Sequence, residues 1–289
     1  MFDKVEAFYQ PASVPEALRL LERGKGTARI VAGGTDVVVG GDESVRVLID
    51  ITRAGLSYIR RRGTALVIGA TTTLAEIEEC GELRSFAGGL LPRAAATCGS
   101  VSIRNLATLG GNLANASPAA DMAVPLAALD AFVALADARG RRKLPLAEYL
   151  AGARGDGFSK SILVEVVISE PGGGNRRGWS FQKLGRTAVD ISLVSVAAGL
   201  ELDARHGVKW ARIALGAVAP TAMRAETAER RMMGRTLDAA LIAEAAAEIA
   251  RAVTPVSDVR ASAEYRREIS GVLAARALRE CAAQAGGLR

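Results

Sequence analysis

Residue types that build common catalytic and metal sites are scarce in this chain. Its 289 residues include one histidine, His206, and three cysteines, Cys80, Cys98 and Cys281. Zinc and iron–sulfur sites need clustered thiolates or imidazoles, and a Ser–His–Asp triad needs a histidine beside its serine. The three cysteines are far apart, so we expect no metal site and no nucleophilic triad in this chain. An odd number of unclustered cysteines also fits a reducing compartment.

Aromatic side chains and long apolar runs are scarce as well. Aromatic residues make up 4% of the chain, and its net charge of +6 is spread along the sequence. Nucleic-acid binding is therefore not expected, because the basic residues are scattered and aromatic stacking platforms are scarce. No apolar run approaches the roughly 20 residues that span a bilayer, and the first residues do not form a secretory signal. These features favour a cytoplasmic globular protein.

Two glycine pairs are the most informative features that the chain does contain. The first follows the strand-like end at Val31 and comprises Ala32, Gly33, Gly34, Thr35 and Asp36. The second comprises Thr108, Leu109, Gly110, Gly111 and Asn112. Glycine lets a ligand approach the backbone amides closely, and a helix start adds unpaired N–H donors, so each pair is suited to an anion. Two such loops predict one dinucleotide, although neither loop matches G-x-G-x-x-G or the P-loop motif.

The order of elements predicts three lobes, at residues 1–55, 56–174 and 175–289. A capping box at Ser13 predicts a helix over 14–23, and a second capping box starts at Thr73. Gly63 marks a hairpin turn, and residues 171–175 read as a linker. The last lobe is predicted to be an antiparallel sheet covered by helices.

Two helices are expected around the second glycine pair. One is predicted near Leu83–Ala96. The other is predicted after the pair, with Ser117 as N-cap and Pro118 as its first residue, which places Asp121 in the first turn. Pro125 is then expected to end or kink this helix, because it lacks an N–H donor.

Longer motifs around these loops identify a family. The segments AGGTD at 32–36, IRNLATLGGNLANASPAAD at 103–121 and KLGRTAVDIS at 183–192 resemble the FAD-binding subunit of molybdenum hydroxylases, the medium chain of the xanthine dehydrogenase and carbon monoxide dehydrogenase group. The resemblance covers nearly the whole chain. It implies an α+β fold with two α/β FAD-binding subdomains of the vanillyl-alcohol oxidase (PCMH) type, followed by a C-terminal antiparallel sheet with helices.

The resemblance also implies particular cofactor contacts. By position, Val31 to Asp36 and Thr108 to Asn112 bind the FAD diphosphate, Asp121 binds polar groups of FAD, and Leu163 and Lys183 lie near the isoalloxazine ring. Other readings remain open: Leu163 as an ordinary core residue, Lys183 as a solvated edge lysine, and Asp121 as a complement to a helix dipole. FAD is expected to be noncovalent, because the glycine loops contain no His, Cys or Tyr.

The implied activity is electron transfer within a complex. A molybdopterin-binding large subunit oxidises substrate, a [2Fe–2S] small subunit relays electrons, and FAD on this chain passes them to NAD⁺ or another acceptor. No side chain of this chain is expected to act as a catalytic acid or base. A stand-alone PCMH-type flavin reductase using NAD(P)H is the alternative, and a scaffold subunit without flavin is a third reading.

Overall fold

The computed structural model describes residues 4–153, 156–169 and 176–287 and has an α+β fold. Contacts group the chain into two compact units, each built from three stretches of sequence. Unit 1 comprises Met1–Glu76, Ser100–Ala116 and Ala131–Ser169. Unit 2 comprises Ile77–Gly99, Ser117–Asp130 and Glu170–Arg289. The lobe boundaries expected near residues 55 and 174 stay predictions, and the expected linker at 171–175 lies outside the described residues.

Two sheets form unit 1. A parallel sheet has the order β1–β3–β2, in which β1, β2 and β3 are Ala7–Tyr9, Ala28–Val31 and Val47–Asp50. An antiparallel sheet has the order β4–β5–β8–β6–β7, and these strands are, in that order, Ile59–Arg62, Ala65–Gly69, Ile162–Ser169, Phe132–Asp137 and Gly140–Pro145. Both sheets contribute to one apolar core with helix α1, Val14–Arg23.

Short-range sequence signals place several elements of unit 1 correctly. Ser13 caps α1 by accepting a hydrogen bond from the Glu16 amide. The second capping box is complete, because the Thr73 hydroxyl accepts from the Glu76 amide and the Glu76 carboxylate accepts from the Thr73 amide. This box starts helix α3, Leu74–Glu79. Gly63, with φ of +63°, turns the hairpin between β4 and β5 as predicted.

The other helices outside the C-terminal region are short. Helices α2 and α4 to α9 are Val37–Gly40, Gly81–Ser85, Leu90–Ala96, Val101–Arg104, Leu109–Ala114, Ala123–Ala128 and Leu146–Ala153. Within the described ranges, no helix is long and apolar enough to cross a membrane.

An antiparallel sheet with the order β12–β11–β10–β9 forms the centre of unit 2. Strands β9 to β12 are Arg177–Leu184, Val194–Leu202, Val208–Gly216 and Met223–Arg224. Helices α10, α11 and α12 are Glu226–Met232, Ala239–Ala252 and Ala263–Gln284, and they share one apolar core with the sheet. All nine residues of β10 are buried, as expected for a strand covered on both faces. The predicted antiparallel sheet with helices is confirmed.

The prediction of one continuous helix near Leu83–Ala96 is wrong. Helices α4 and α5 are separated by Ala87, Gly88 and Gly89, which all have positive φ. A Cβ on Gly88 would lie 3.2 Å from the Trp179 side chain, so this turn brings the backbone close to an aromatic ring.

The prediction of a helix start at Ser117 is also wrong. Helix α7 begins at Leu109 with Thr108 as N-cap, and the next helix, α8, begins only at Ala123. Asp121 therefore lies in a turn and not in a helix. Pro125 occupies the first turn of α8, where an N–H has no partner within the helix, so it neither ends nor kinks the helix there.

A buried arginine connects helix α12 to the sheet of unit 2. The Arg266 guanidinium donates to the carbonyl oxygens of Leu193 and Ala217 at 2.7 and 3.2 Å, and to the Asp258 carboxylate at 2.9 Å. The Arg260 amide, together with the Arg266 charge, holds the pKa of Asp258 at about 2. Ionised Asp258 is thus the counter-ion of a guanidinium that is almost completely buried.

We predict that Asp258→Asn lowers the free energy of unfolding near neutral pH by about 1.5 kcal/mol, the lower end for hydrogen bonds to charged groups. The pKa of Asp258 is about 2 in the folded protein and near 3.8 in an unfolded chain, so its contribution is present above about pH 4. It is lost as the pH falls toward 2. Urea unfolding of both proteins at pH 7, 4 and 3 measures this difference, and a difference independent of pH would contradict the prediction.

Candidate functional site

The first glycine loop connects strand β2 to helix α2 in unit 1. Val31 ends β2, and its carbonyl oxygen accepts a hydrogen bond from the Ile51 amide at 2.9 Å. Gly34 has φ of +71°, a conformation that side chains with a Cβ rarely adopt. A Cβ on Gly33 would overlap the carbonyl oxygen of Leu106. The two glycines are therefore needed for different reasons: Gly34 for its backbone angle and Gly33 for a close backbone contact.

Unused amides distinguish this loop from an ordinary turn. Among the described residues, the amides of residues 33–36 donate to no protein acceptor. The residues from Ala32 to Thr35 are half-buried and Asp36 is exposed, so the amides lie at the surface of unit 1. Successive backbone N–H groups in a tight turn form a concavity that suits anions. The geometry of the loop is compatible with the predicted anion site, which stays a prediction.

The second glycine loop forms the N-cap and first turn of helix α7, and the amides from Leu109 to Asn112 are all engaged. Their acceptors are the carbonyl oxygens of Thr72 for Leu109, of Ala70 for Gly110 and of Thr108 for Asn112, and the Thr108 hydroxyl for Gly111. The expected row of unpaired N–H donors is therefore missing from this loop.

The glycines of this second loop have other roles. A Cβ on Gly110 would lie 2.7 Å from the Ala70 carbonyl oxygen, so this glycine allows two backbones to touch. Gly111 is exposed, and a Cβ there would meet only the Thr108 hydroxyl, at 3.0 Å. The loop thus offers a ligand a bare surface instead of free amides.

The structure brings the two loops together within unit 1. The backbone at Gly33 lies against the Leu106 carbonyl group, two residues before Thr108. The adjacent Ala107 carbonyl oxygen accepts a hydrogen bond from the Leu74 amide at 2.9 Å. Leu163 belongs to the same unit but lies on strand β8, where it is 8% exposed and pairs with Leu135.

The remaining predicted site residues, Asp121 and Lys183, form an ion pair in unit 2. The Lys183 Nζ lies 2.7 Å from an Asp121 carboxylate oxygen, and each side chain is only 7% exposed. Lys183 also donates to the Thr97 carbonyl oxygen, and the Ser192 hydroxyl donates to the other Asp121 oxygen at 2.6 Å. Burial raises the pKa of the Asp121 carboxyl, whereas Lys183, Ser192 and Cys98 act to lower it. The reading of Lys183 as a solvated edge lysine is excluded by its burial.

Sequence reasoning missed the groups that hold this ion pair. Ser192 is the last residue of the segment 183–192, but nothing in the sequence spacing predicts that its hydroxyl contacts Asp121. The Thr97 carbonyl oxygen gives no sequence signal, because every residue carries one.

Comparison with known families matches both halves of the chain. A family model described as the FAD binding domain in molybdopterin dehydrogenase matches residues 2–170, and one described as the CO dehydrogenase flavoprotein C-terminal domain matches residues 179–281. The chain belongs to this flavoprotein family. The resemblance given by the glycine-loop segments is confirmed. The flavoprotein carries the FAD-binding domain of an oxidoreductase family.

Curated relatives and solved structures align with nearly the whole flavoprotein. The glyceraldehyde dehydrogenase medium chain of Sulfolobus acidocaldarius is 31% identical over 98% of this chain and 100% of its own length. Subunit alpha of the 6-hydroxypseudooxynicotine dehydrogenase complex of Paenarthrobacter nicotinovorans is 34% identical, covering 92% of this chain and 90% of its own. A structure of carbon monoxide dehydrogenase from Hydrogenophaga pseudoflava superposes with a TM-score of 0.89 at 28% identity, covering 98% of this chain and 99% of that one.

The residues of unit 1 fit the phosphate part of FAD. The free amides at 33–36 suit its negative charge, and the bare first turn of α7 leaves room beside them. The expectation that no side chain of this chain acts as a catalytic acid or base stays a prediction, and it agrees with a flavin that performs its own redox chemistry while the protein binds and orients it.

We predict unequal effects of alanine on stability at two of the glycines. Gly33→Ala is expected to lower the free energy of unfolding by about 2 kcal/mol, because its Cβ would overlap the Leu106 backbone. Gly111→Ala is expected to change it by less than about 1 kcal/mol, because the better helix propensity of alanine is offset by a tight contact between its Cβ and the Thr108 hydroxyl at 3.0 Å. Chemical denaturation of FAD-free protein measures both. Equal losses in the two variants would contradict the proposed division of roles.

We also predict strong coupling between Asp121 and Lys183. Asp121→Asn and Lys183→Met are each expected to lower the free energy of unfolding by about 3 kcal/mol, because each leaves a buried partner unpaired. The double variant is expected to lose about 1–3 kcal/mol less than the sum of the two. The exposed pair Glu226 and Arg230 is the control, and its cycle is expected to be additive within about 0.5 kcal/mol. Additive losses at Asp121 and Lys183 would contradict the predicted energetic coupling of this ion pair.

Proposed function

We propose that the flavoprotein is the electron-transfer subunit of a molybdenum hydroxylase complex. In this proposal its FAD receives electrons from [2Fe–2S] clusters of a small partner subunit and passes them to NAD⁺ or another acceptor. A molybdopterin-binding large subunit oxidises the substrate. The observation that carries the proposal is the loop of free amides at 33–36 in a chain that matches the family over both domains. The relatives support it, since one is a medium chain and another a subunit of a dehydrogenase complex.

The role of unit 1 in this proposal is to bind the diphosphate of FAD. When bound, FAD supplies the redox chemistry of its isoalloxazine ring. The backbone from Val31 to Asp36 donates hydrogen bonds to phosphate oxygens, and the surface from Thr108 to Asn112 admits the cofactor at Gly111. Binding is noncovalent, because neither loop contains a His, Cys or Tyr side chain.

Three further contacts belong to the same proposal. Leu163 is assigned to the isoalloxazine ring as an apolar neighbour, and Lys183 as a cationic one. Asp121 is assigned to polar groups of the cofactor, with its ion pair to Lys183 keeping that lysine in one orientation. The cytoplasmic location expected from the sequence also stays a prediction.

The stand-alone flavin reductase is the weaker candidate. Such a reductase needs its own proton donor and its own binding site for the substrate phosphates. In addition, residues 179–281 match a CO dehydrogenase flavoprotein domain. A scaffold without flavin is disfavoured by the free amides at 33–36, which a purely structural turn does not require.

The complex, purified through a tag on this chain from the organism that encodes it, tests the proposal. We predict that the wild-type complex contains FAD, iron–sulfur clusters and a molybdopterin subunit. Gly111→Val, which fills the bare surface of α7, is expected to remove FAD while both partners stay bound. Reoxidation of dithionite-reduced clusters by NAD⁺ or a quinone, followed by electron paramagnetic resonance, is expected to slow by about tenfold or more without the flavin.

Gly81→Val is the matched control, because Gly81 also begins a short helix and has open space around it. This variant is expected to keep FAD and the wild-type reoxidation rate. Retention of FAD by Gly111→Val would refute the placement of the diphosphate. Cluster reoxidation at the wild-type rate in a FAD-free complex would refute the role as electron outlet.

A further inference from the structure

Four threonines surround the point where the segment 70–74 meets the first turn of helix α7. The hydroxyls of three of them have hydrogen-bond partners within the protein. The Thr72 hydroxyl bonds to the backbone of Tyr58, and the Thr73 hydroxyl donates to the Glu76 carboxylate. The Thr108 hydroxyl accepts from the Gly111 amide. The hydroxyl of the fourth, Thr71, has no hydrogen-bond partner among the described residues. Thr71 is also only 4% exposed.

An unpaired hydroxyl at such a depth costs free energy, because it gives up hydrogen bonds to water and gains none. Valine has nearly the same shape as threonine and would avoid this cost. A buried polar atom without a partner in a folded protein therefore calls for a specific explanation, such as a ligand absent from the chain itself.

The neighbours of Thr71 on both sides contact the candidate FAD loop. The Ala70 carbonyl oxygen accepts from the Gly110 amide at 2.8 Å, and the Thr72 carbonyl oxygen accepts from the Leu109 amide at 2.9 Å. Thr71 itself donates its amide to the Leu56 carbonyl oxygen at 3.0 Å, so its own backbone is held as well. Its position is thus fixed beside the turn that leads to the exposed Gly111.

We propose that the Thr71 hydroxyl hydrogen-bonds to the bound FAD and is a further cofactor ligand of this flavoprotein. The inference rests on the proposed FAD site of unit 1. Thr71 supplies a side-chain donor at a turn where the amides of α7 are already engaged. It is a binding residue and takes no part in electron or proton transfer.

Thr71→Val tests the proposal in the full-length chain through two measurements, the dissociation constant for FAD and the melting temperature of the FAD-free protein. The variant is expected to bind FAD about tenfold more weakly, because it lacks one hydrogen bond to a charged or polar group of the cofactor. Its FAD-free melting temperature is expected to stay unchanged or rise, because the lost hydroxyl has no protein partner. Thr71→Ser, which keeps a hydroxyl, is expected to bind FAD within about twofold of wild type.

Thr72→Val is the matched control, because the neighbouring hydroxyl has protein partners. It is expected to lower the FAD-free melting temperature. Unchanged FAD affinity in Thr71→Val, or a lowered melting temperature like that of Thr72→Val, would overturn the proposal, as would an equal loss of affinity in Thr71→Ser. Failure of the wild-type chain and complex to bind FAD would instead refute the proposed function, so the two failures are distinguishable.

Discussion

Backbone contact between residues 70–74 and residues 106–110 is the constraint on which the candidate site depends. Hydrogen bonds join the two segments at three amides, those of Leu74, Leu109 and Gly110. A side chain at Gly110 would separate the two backbones, and one at Gly33 would displace the first loop from the chain at Leu106. Glycine is required at both points because the backbones themselves touch, so the position of both loops follows from these contacts.

This constraint decides which backbone amides of the candidate site are free to bind an anion. An amide that already donates a hydrogen bond within the protein is not free to bind phosphate. The amides in the first turn of α7 all donate such hydrogen bonds. The free amides lie in the loop at 33–36, where the carbonyl oxygens of Gly34 and Asp36 accept hydrogen bonds from the amides of Val38 and Gly40. One loop thus has free amides, and the other presents an exposed surface at Gly111.

Much of the fold could be predicted from the sequence, because short-range rules decide it. Capping boxes at Ser13 and Thr73 and the turn at Gly63 lie where residue spacing predicts them. Helix α7 could not be predicted, since two glycines in its first turn disfavour a helix and its stability comes from acceptors far away in sequence. The candidate site is partly predictable for the same reason. Its sequence motifs indicate the family and both loops, but which amides are free depends on acceptors that are distant in sequence.

The division into two units has a consequence for how this polypeptide is made and dissected. The backbone passes between the units five times, at the ends of the stretches that compose them. A ribosome must therefore release residues beyond 131 before unit 1 has all its parts, and residues beyond 170 before unit 2 does. Such long-range assembly is slow compared with local folding. A single protease cut cannot yield either unit intact, so neither unit can be produced as one continuous segment of this chain.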